Sequence, residues 1–268
     1  MLANLNVIPP NYKRSLLTHF ISRRIRNDYE EALWLAIEKK SGESDKSRAV
    51  DWLVNEIKTD GFFILESALP PSLIDPLEQE FETLLATDSQ NYHSLTEGEG
   101  AKCFSIKPYF SLKNLKSFHN GLCLFSNTFF RNVAVSFYGR NISRINHISE
   151  VFYHNTPESK NPLSGSFHWD RSQTLKFWLY LGDIDSTNGA TRVERGSVSR
   201  NRSARLLAGP AHTLVGAVDN LANVEGEIVS LTAPRGSIVF LDTDCSHAAS
   251  PVSPGQCRKI MRGHTRLL

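Results

Sequence analysis

Apolar residues in the first third of the chain recur with the period of a helix. Between residues 12 and 40 they fall about every four positions, at Leu17, Ile21, Ile25, Tyr29, Leu33 and Ile37. This spacing predicts an amphipathic helix or a broken pair of helices. The polar stretch 40–46 predicts a linker, and a second helix is expected over residues 51–58.

The next part of the chain alternates turn signals with apolar runs. Asp60-Gly61 predicts a turn into a strand over residues 62–65, and Pro70-Pro71 predicts the start of a further helix. Glycines and a proline interrupt residues 87–128, so this stretch is expected to be loop. Within it we expect a short strand near 103–106 and a helix near 122–130.

From about residue 142 the chain changes to short β-rich runs separated by turn residues. Six strands are predicted, over residues 145–153, 175–181, 191–194, 227–231, 237–241 and 259–264. Helices first and many short strands afterwards predict a helical layer packed on an antiparallel sandwich or barrel. The 268 residues suffice for one large domain. We expect residues 1–45 to be an N-terminal helical extension, 46–141 the helical layer with the first strands, and 142–268 the β core.

Composition removes several classes of function. Thirty basic residues against 28 acidic ones leave a net charge of +2, too little for a basic field that would bind nucleic acid or an anionic membrane. No apolar run approaches the roughly 18 residues of a membrane span. The four cysteines are scattered singly, which favours reduced thiols over disulfides or a zinc site and makes the cytoplasm the expected location. Nothing in the sequence indicates the oligomeric state.

Three residues predict a metal site in the β-rich half. His168 and Asp170 are two positions apart, so in an extended segment both side chains leave the same face. His247 would come from elsewhere in the fold. Two histidines and one carboxylate hold non-haem Fe(II) on one face and leave positions open on the other. The pair His-x-Asp alone is a weak signal, because it arises by chance in many proteins.

An arginine strengthens the signal. Arg258 follows His247 by 11 residues and lies at the start of a predicted strand, near the metal but not on it. Its guanidinium can pair through two hydrogen bonds with the remote carboxylate of an oxo-acid co-substrate.

The motifs together resemble the phytanoyl-CoA dioxygenase family of Fe(II)- and 2-oxoglutarate-dependent oxygenases, over about residues 50–268. The matching segments are Gly61 to Leu65, Phe167 to Asp170, Leu175 to Leu181, Asn188 to Ala190 with Arg195 to Ser197, and Gly236 to Phe240 with His247 and Arg258. The resemblance implies a mainly β fold with flanking helices, whose core is a double-stranded β-helix of the jelly-roll, cupin-like type.

The resemblance also implies roles for individual residues. His168, Asp170 and His247 would bind Fe(II), and Arg258 would bind the C5 carboxylate of 2-oxoglutarate. Trp178 would contact the same co-substrate, although a core aromatic in an apolar strand is an equal interpretation. Lys107 stands where some members place another co-substrate contact. His154, at the end of a strand along the cavity, is the candidate for substrate contact.

Two features bear on the chemistry. Many members carry a serine two residues after the distal histidine, whereas this chain has Ala249, and Ser250 and Ser253 are the candidates to replace it. Asp170 argues against a halogenase, because that branch lacks the carboxylate so that halide can bind the iron.

The function implied is oxidation of an unactivated C–H bond, most simply hydroxylation, with release of succinate and CO2. We expect a small or mid-sized metabolite as substrate, because the predicted loops show no basic cluster for a highly anionic one such as a coenzyme A thioester. The alternatives are a Zn-dependent hydrolase on the same three ligands and a non-catalytic jelly-roll binding protein with a relict metal site.

Overall fold

The structure is a computed structural model that describes residues 23–87, 92–98, 101–106, 119–140, 145–155, 166–170, 172–208, 220–221 and 223–265. Its helices are α1 (Arg23–Ser41), α2 (Lys46–Asp60), α3 (Pro71–Thr87), α4 (His119–Phe125), α5 (Thr128–Tyr138) and α6 (Val198–Ala208). No helix among these described segments is both long and apolar enough to cross a membrane.

The strands form two antiparallel sheets. They are β1 (Phe62–Leu65), β2 (Tyr92–Gly98), β3 (Ala101–Ile106), β4 (Ile145–Asn155), β5 (His168–Trp169), β6 (Leu175–Tyr180), β7 (Arg192–Glu194), β8 (Asn220–Leu221), β9 (Ile228–Ser230), β10 (Ile238–Asp242), β11 (His247–Ala248) and β12 (Cys257–Thr265). The seven-stranded major sheet has the order β1-β10-β6-β12-β4-β3-β2, and the five-stranded minor sheet has the order β8-β5-β11-β7-β9. The predicted jelly roll with a helical layer is confirmed.

Two apolar cores hold these layers together. On the outer face of the major sheet, Phe177, Phe240 and Met261 pack against the helices, where Phe130 lies 4.8 Å from Phe177 between ring centroids. Between the sheets, Tyr180, Val193, Val239 and Ile260 form a second cluster. Side chains alternate along each strand, so one face of the major sheet packs against the helices and the other faces the cavity of the jelly roll.

Most predicted elements are found. The strand over residues 62–65 and all six later strands are confirmed within two residues at either end. Helix α2 begins at Lys46 rather than at residue 51, because Asp45 caps it by accepting a hydrogen bond from the Arg48 amide at 2.9 Å. The part of the first predicted helix before Arg23 and the candidate Lys107 lie outside the described residues.

Residues 87–128 correct the prediction. The strand expected near 103–106 is found as β3, but it pairs with β2, which was not predicted, from Tyr92↔Ile106 to Gly98↔Ala101, so Gly98 ends a strand of a hairpin. The single helix expected near 122–130 is two helices, because Asn127 caps a new one by accepting a hydrogen bond from the Phe130 amide at 3.3 Å. Helix α6 was not predicted either and stands in a segment expected to be loop.

Candidate metal centre

Three ligating side chains converge at the mouth of the jelly roll. His168 and His247 occupy directly opposite positions of β5 and β11. Asp170 follows two residues after His168. Each of the three residues offers one ligand atom, and these atoms all lie within 4.8 Å of one another. His247 Nε2 and Asp170 Oδ1 are 3.5 Å apart. Two atoms bound at right angles to one ion through bonds of about 2.1 Å would be about 3 Å apart, so the cluster fits a single metal ion.

Backbone contacts orient both imidazoles. His168 Nδ1 is 2.9 Å from the Ser166 carbonyl oxygen, and His247 Nδ1 is 2.8 Å from the Cys245 carbonyl oxygen. A carbonyl only accepts hydrogen bonds, so Nδ1 carries the proton in each ring and Nε2 keeps its lone pair. Burial lowers the pKa of His247 further, which favours the neutral ligating form.

The carboxylate of Asp170 is shared between the metal position and a lysine. Lys176 Nζ lies 2.6 Å from Asp170 Oδ2. Burial alone would raise the pKa of Asp170, but the Lys176 ammonium outweighs it and holds that pKa well below its ordinary value. The aspartate is therefore ionised, with Oδ1 turned toward His247 and Oδ2 held by the ammonium.

The backbone of Asp170 is fixed from both sides. Its amide donates to the Thr243 carbonyl at 3.0 Å, in the loop that leads to His247. Its carbonyl accepts from Arg205 Nη2 at 2.7 Å, and the guanidinium of Arg205 also lies 4.9 Å from the centroid of the Trp169 ring. Asp170 is thus tied to the loop before His247 and to helix α6.

A buried polar network braces the loop before His247. Asp242 and Asp244 are fully buried, and both accept from Arg202, at 3.2 and 3.4 Å. Burial and the nearby Asp244 raise the pKa of Asp242 to about 6. Ser197 accepts from the Ser246 amide at 2.8 Å. The Arg195-Gly196-Ser197 turn therefore holds Ser246, the residue next to the candidate metal ligand His247.

The Asn188-Gly189 turn positions Arg258. Gly189 has a positive φ of 86°, and a Cβ there would lie 2.7 Å from Val252 Cγ2, so the site requires glycine. Its carbonyl accepts from Nη1 of Arg258, which is 3% exposed, and the same nitrogen lies 3.4 Å from Thr191 Oγ1. The turn therefore fixes the direction of the guanidinium, which lines the cavity described next.

A cavity of about 150 Å³ joins the metal position to Arg258. It is lined by His168, Lys176, Trp178, Thr191, His247, Ala249, Arg258, Ile260 and Arg262. The indole of Trp178 is 6% exposed, and its Nε1 has no hydrogen-bond partner among the described residues. A buried N–H without a partner costs about 1–3 kcal/mol, so this donor is suited to pair with an acceptor atom of a molecule that enters the cavity.

The structure brings together His168, Asp170, His247, Trp178 and Arg258, which were all predicted candidates. Ala249 lines the cavity, whereas Ser250 and Ser253 are not among its described lining residues, and the hydroxyl next to Arg258 is that of Thr191. His154 pairs in register with Cys257, one position from Arg258, and its side chain lies outside what the structure describes. Sequence reasoning missed Lys176, Thr191 and Arg262. The period of two from Trp178 and Arg258 could have found Lys176 and Arg262.

Comparison with known proteins agrees with this architecture. The family model "Phytanoyl-CoA dioxygenase (PhyH)" matches residues 147–260. Among curated proteins, none matches the sequence. The epimerase SnoN from nogalamycin biosynthesis, solved with Fe3+, alpha ketoglutarate and nogalamycin RO, is 16% identical over 81% of this chain and 84% of its own, with a TM-score of 0.62.

Two further structures are similar at the level of the fold. The carbocyclase SnoK from nogalamycin biosynthesis is 16% identical over 80% of this chain and 82% of its own, with a TM-score of 0.57. EctD from S. alaskensis, solved with 2-oxoglutarate and 5-hydroxyectoine, is 13% identical over 79% of this chain and 73% of its own, with a TM-score of 0.53. The family model thus confirms the resemblance to the phytanoyl-CoA dioxygenase family over residues 147–260, the part of the chain that carries the metal cluster, Trp178 and Arg258, while the solved structures show that the fold is similar.

Proposed function

We propose that the protein is an Fe(II)- and 2-oxoglutarate-dependent oxygenase that oxidises a C–H bond of a small or mid-sized metabolite, most simply by hydroxylation. The observation that carries this proposal is the convergence of His168, Asp170 and His247 at one end of a cavity whose other end holds Arg258. Three ligands on one face leave about three coordination positions for the co-substrate and dioxygen. The resemblance to the PhyH family and the ligands named for SnoN and EctD support it.

The donor set fits a ferrous ion. Two unprotonated imidazole nitrogens and one ionised carboxylate are the ligands of non-haem iron oxygenases. When bound, iron and 2-oxoglutarate would supply the activation of dioxygen and release succinate and CO2.

The cavity fits a chelating keto-diacid. Its C5 carboxylate would pair with Arg258, which Gly189 holds in place, and would accept a hydrogen bond from Thr191 in the role that a serine has in many family members. Trp178 Nε1 would then gain the acceptor that it lacks. Lys176 keeps Asp170 ionised and bound through one oxygen, which leaves room for the chelate.

Anaerobic spectroscopy tests the proposal. Adding Fe(II) and 2-oxoglutarate should give the weak visible charge-transfer band of the chelate. The band should be absent in Asp170→Ala and His247→Ala. Arg258→Gln should need at least about tenfold more 2-oxoglutarate, because it loses a charged hydrogen bond. His119→Ala, which changes a histidine on α4 outside the cavity, should retain the band of the wild type.

The alternatives make different predictions. A zinc hydrolase would cleave its substrate with Zn2+ alone, and Arg258→Gln would leave that activity intact, since Arg258 has no part in it. A relict binding protein would give neither the band nor succinate. Absence of the band at saturating Fe(II) and 2-oxoglutarate contradicts the proposal.

A further inference from the structure

The residue between the first two candidate metal ligands points away from the cavity. Trp169 stands between His168 and Asp170 in an extended segment, so its side chain leaves the opposite face. The guanidinium of Arg205 lies over its ring, 4.9 Å from the ring centroid. The same guanidinium donates from Nη2 to the Asp170 carbonyl at 2.7 Å. A residue of α6 therefore holds the segment that carries two candidate ligands from outside the jelly roll.

Arg205 also reaches the segment that leads to the third candidate ligand. Its Nη1 forms an ion pair with Asp244, a fully buried carboxylate that lies three residues before His247. One turn earlier on α6, Asn201 donates from Nδ2 to the Asp244 carbonyl and to the Ser246 hydroxyl, both at 2.8 Å. Asn201 and Arg205 are four positions apart, so they share one face of the helix. That face of α6 thus contacts both of the segments that bring the ligands together.

A single guanidinium can make both contacts because it offers separate nitrogens in a planar fork. Nη2 binds a backbone carbonyl of one segment, and Nη1 binds a carboxylate of the other. The side chain of Arg205 is 16% exposed, so water competes weakly for these hydrogen bonds. Arg205 is not among the described residues that line the cavity. Its contacts with the site run instead through the backbone of Asp170 and the loop before His247.

We propose that Arg205 is a positioning residue of the metal centre, which holds the backbone of Asp170 in a fixed position relative to the loop that leads to His247. The proposal rests on the metal site of the function proposed above, but its test needs neither 2-oxoglutarate nor dioxygen. Groups that orient the ligands of a metal site without touching the metal commonly change metal affinity by about 10- to 100-fold.

The sign of the effect separates positioning from charge. Arg205 is a cation near a site for a cation, so removal of its charge alone would raise the affinity for a metal ion. Loss of positioning has the opposite effect, because the three ligand atoms no longer lie where one ion can bind them all. Arg205→Gln should therefore weaken Co2+ binding by about 10- to 100-fold, as measured by calorimetry. Arg205→Lys should weaken it by about fivefold or more, since an ammonium keeps the charge but lacks the planar fork.

Two further measurements accompany the titration. The absorption spectrum at saturating Co2+ should differ from the wild type in both variants, because it depends on the arrangement of the ligands. Thermal unfolding of the metal-free protein should show that both variants are folded, since Arg202 also pairs with Asp244, at 3.4 Å.

The matched control is Arg202→Gln. It removes the same charge from the same helix, and Arg202 pairs with Asp242 and Asp244 but, among the described residues, not with Asp170. Its affinity for Co2+ should lie within about threefold of the wild type or above it, with an unchanged spectrum.

Three results overturn the inference. Binding of Co2+ by Arg205→Gln as tight as by the wild type, or tighter, would show that Arg205 acts through its charge alone. Equal losses in Arg205→Gln and Arg202→Gln would assign the effect to Asp244 rather than to the bridge between the two segments. Wild-type affinity and spectrum in Arg205→Lys would show that a positive charge suffices. In all three cases the wild type still binds the metal and the oxygenase proposal stands, whereas a wild type that binds no Co2+ would end both proposals.

Discussion

At the scale of single residues, the two oxygens of the Asp170 carboxylate have different partners. Asp170 turns Oδ1 toward His247 and gives Oδ2 to Lys176. The side chains of Asp170 and Lys176 are only 19% and 14% exposed, so water screens their attraction weakly. Without a metal, the ammonium is the counter-charge that makes burial of this carboxylate tolerable.

Lys176→Met should therefore destabilise the metal-free protein by about 2 kcal/mol, because it leaves a largely buried carboxylate without a counter-charge. The loss should be smaller with a divalent ion bound, since the ion then offsets Asp170. Urea unfolding with and without Co2+ measures both values, and Lys176→Arg is the control that keeps the charge. Equal losses in the two states would contradict this account.

Trp178→Phe removes a single buried donor and keeps an aromatic ring. We expect 2-oxoglutarate affinity to fall by about fivefold, the worth of one net hydrogen bond, because the indole Nε1 is a buried donor without a partner among the described residues. Titration of the charge-transfer band measures the affinity, and thermal unfolding checks that the variant is folded. Trp34→Phe, on α1 away from the cavity, should leave the affinity unchanged, and an unchanged affinity in Trp178→Phe would remove this residue from the co-substrate site.

At the scale of elements, short turns rather than long strands place the functional groups. The turn at Asn188-Gly189 presents a carbonyl to Arg258, and the turn at Arg195-Gly196-Ser197 presents a hydroxyl to the loop before His247. Helix α6 supplies Arg205 to the backbone of Asp170. These three segments each restrict the movement of one group of the site.

Gly189→Ala should weaken 2-oxoglutarate binding by about tenfold or more, because the turn must shift and with it the carbonyl that holds Arg258. Gly42→Ala is a matched control, since Gly42 also has a positive φ, of 74°, but has nothing within 4 Å of an added Cβ. Both should lose about 1 kcal/mol of stability or more. Only Gly189→Ala should change the co-substrate titration, and equal titrations of the two variants would argue against the positioning role.

At the scale of the whole molecule, a buried glutamate joins two helices of the helical layer. Glu80 on α3 accepts hydrogen bonds from the Asn120 and Gly121 amides, at 2.6 and 3.1 Å, where α4 begins. Burial raises the pKa of Glu80 to about 7 despite these hydrogen bonds. The folded state therefore holds this proton at a pH at which the unfolded state has released it.

The sign of the pH effect follows from linkage. Between about pH 4.5 and 7 the folded protein binds more protons at Glu80 than the unfolded one, so this contribution to stability falls as the pH rises. Wild type should accordingly lose stability relative to Glu80→Gln between about pH 5 and 8 in urea unfolding. The exposed Glu31→Gln is the control and should track the wild type, whereas parallel curves for Glu80→Gln would show that the acid is not perturbed.

The sequence determined the strand-rich half, the helical layer and the identity of the candidate ligands. Period-two and period-four patterns respond to burial of one face, which is a local property of a strand or a helix. His168, Asp170, His247 and Arg258 stood out because few chemistries use those residue types in that order. The hairpin β2–β3 and helix α6 were missed, since glycines mark hairpin turns as readily as loops and α6 carries few apolar positions.

The tertiary structure decided what surrounds those ligands. Pairing of β5 with β11 brings His168 and His247 together across a sequence gap of 79 residues. Pairing of β6 with β12 sets Arg262 beside Trp178, and closure of the sheets turns Lys176 toward Asp170. A local sequence pattern cannot predict which residues of distant strands become neighbours, because strand register and sheet closure depend on the packing of the whole core. The candidate metal chemistry could therefore be predicted from the chain alone, whereas the set of side chains that line the cavity beside the metal position emerged only from the fold.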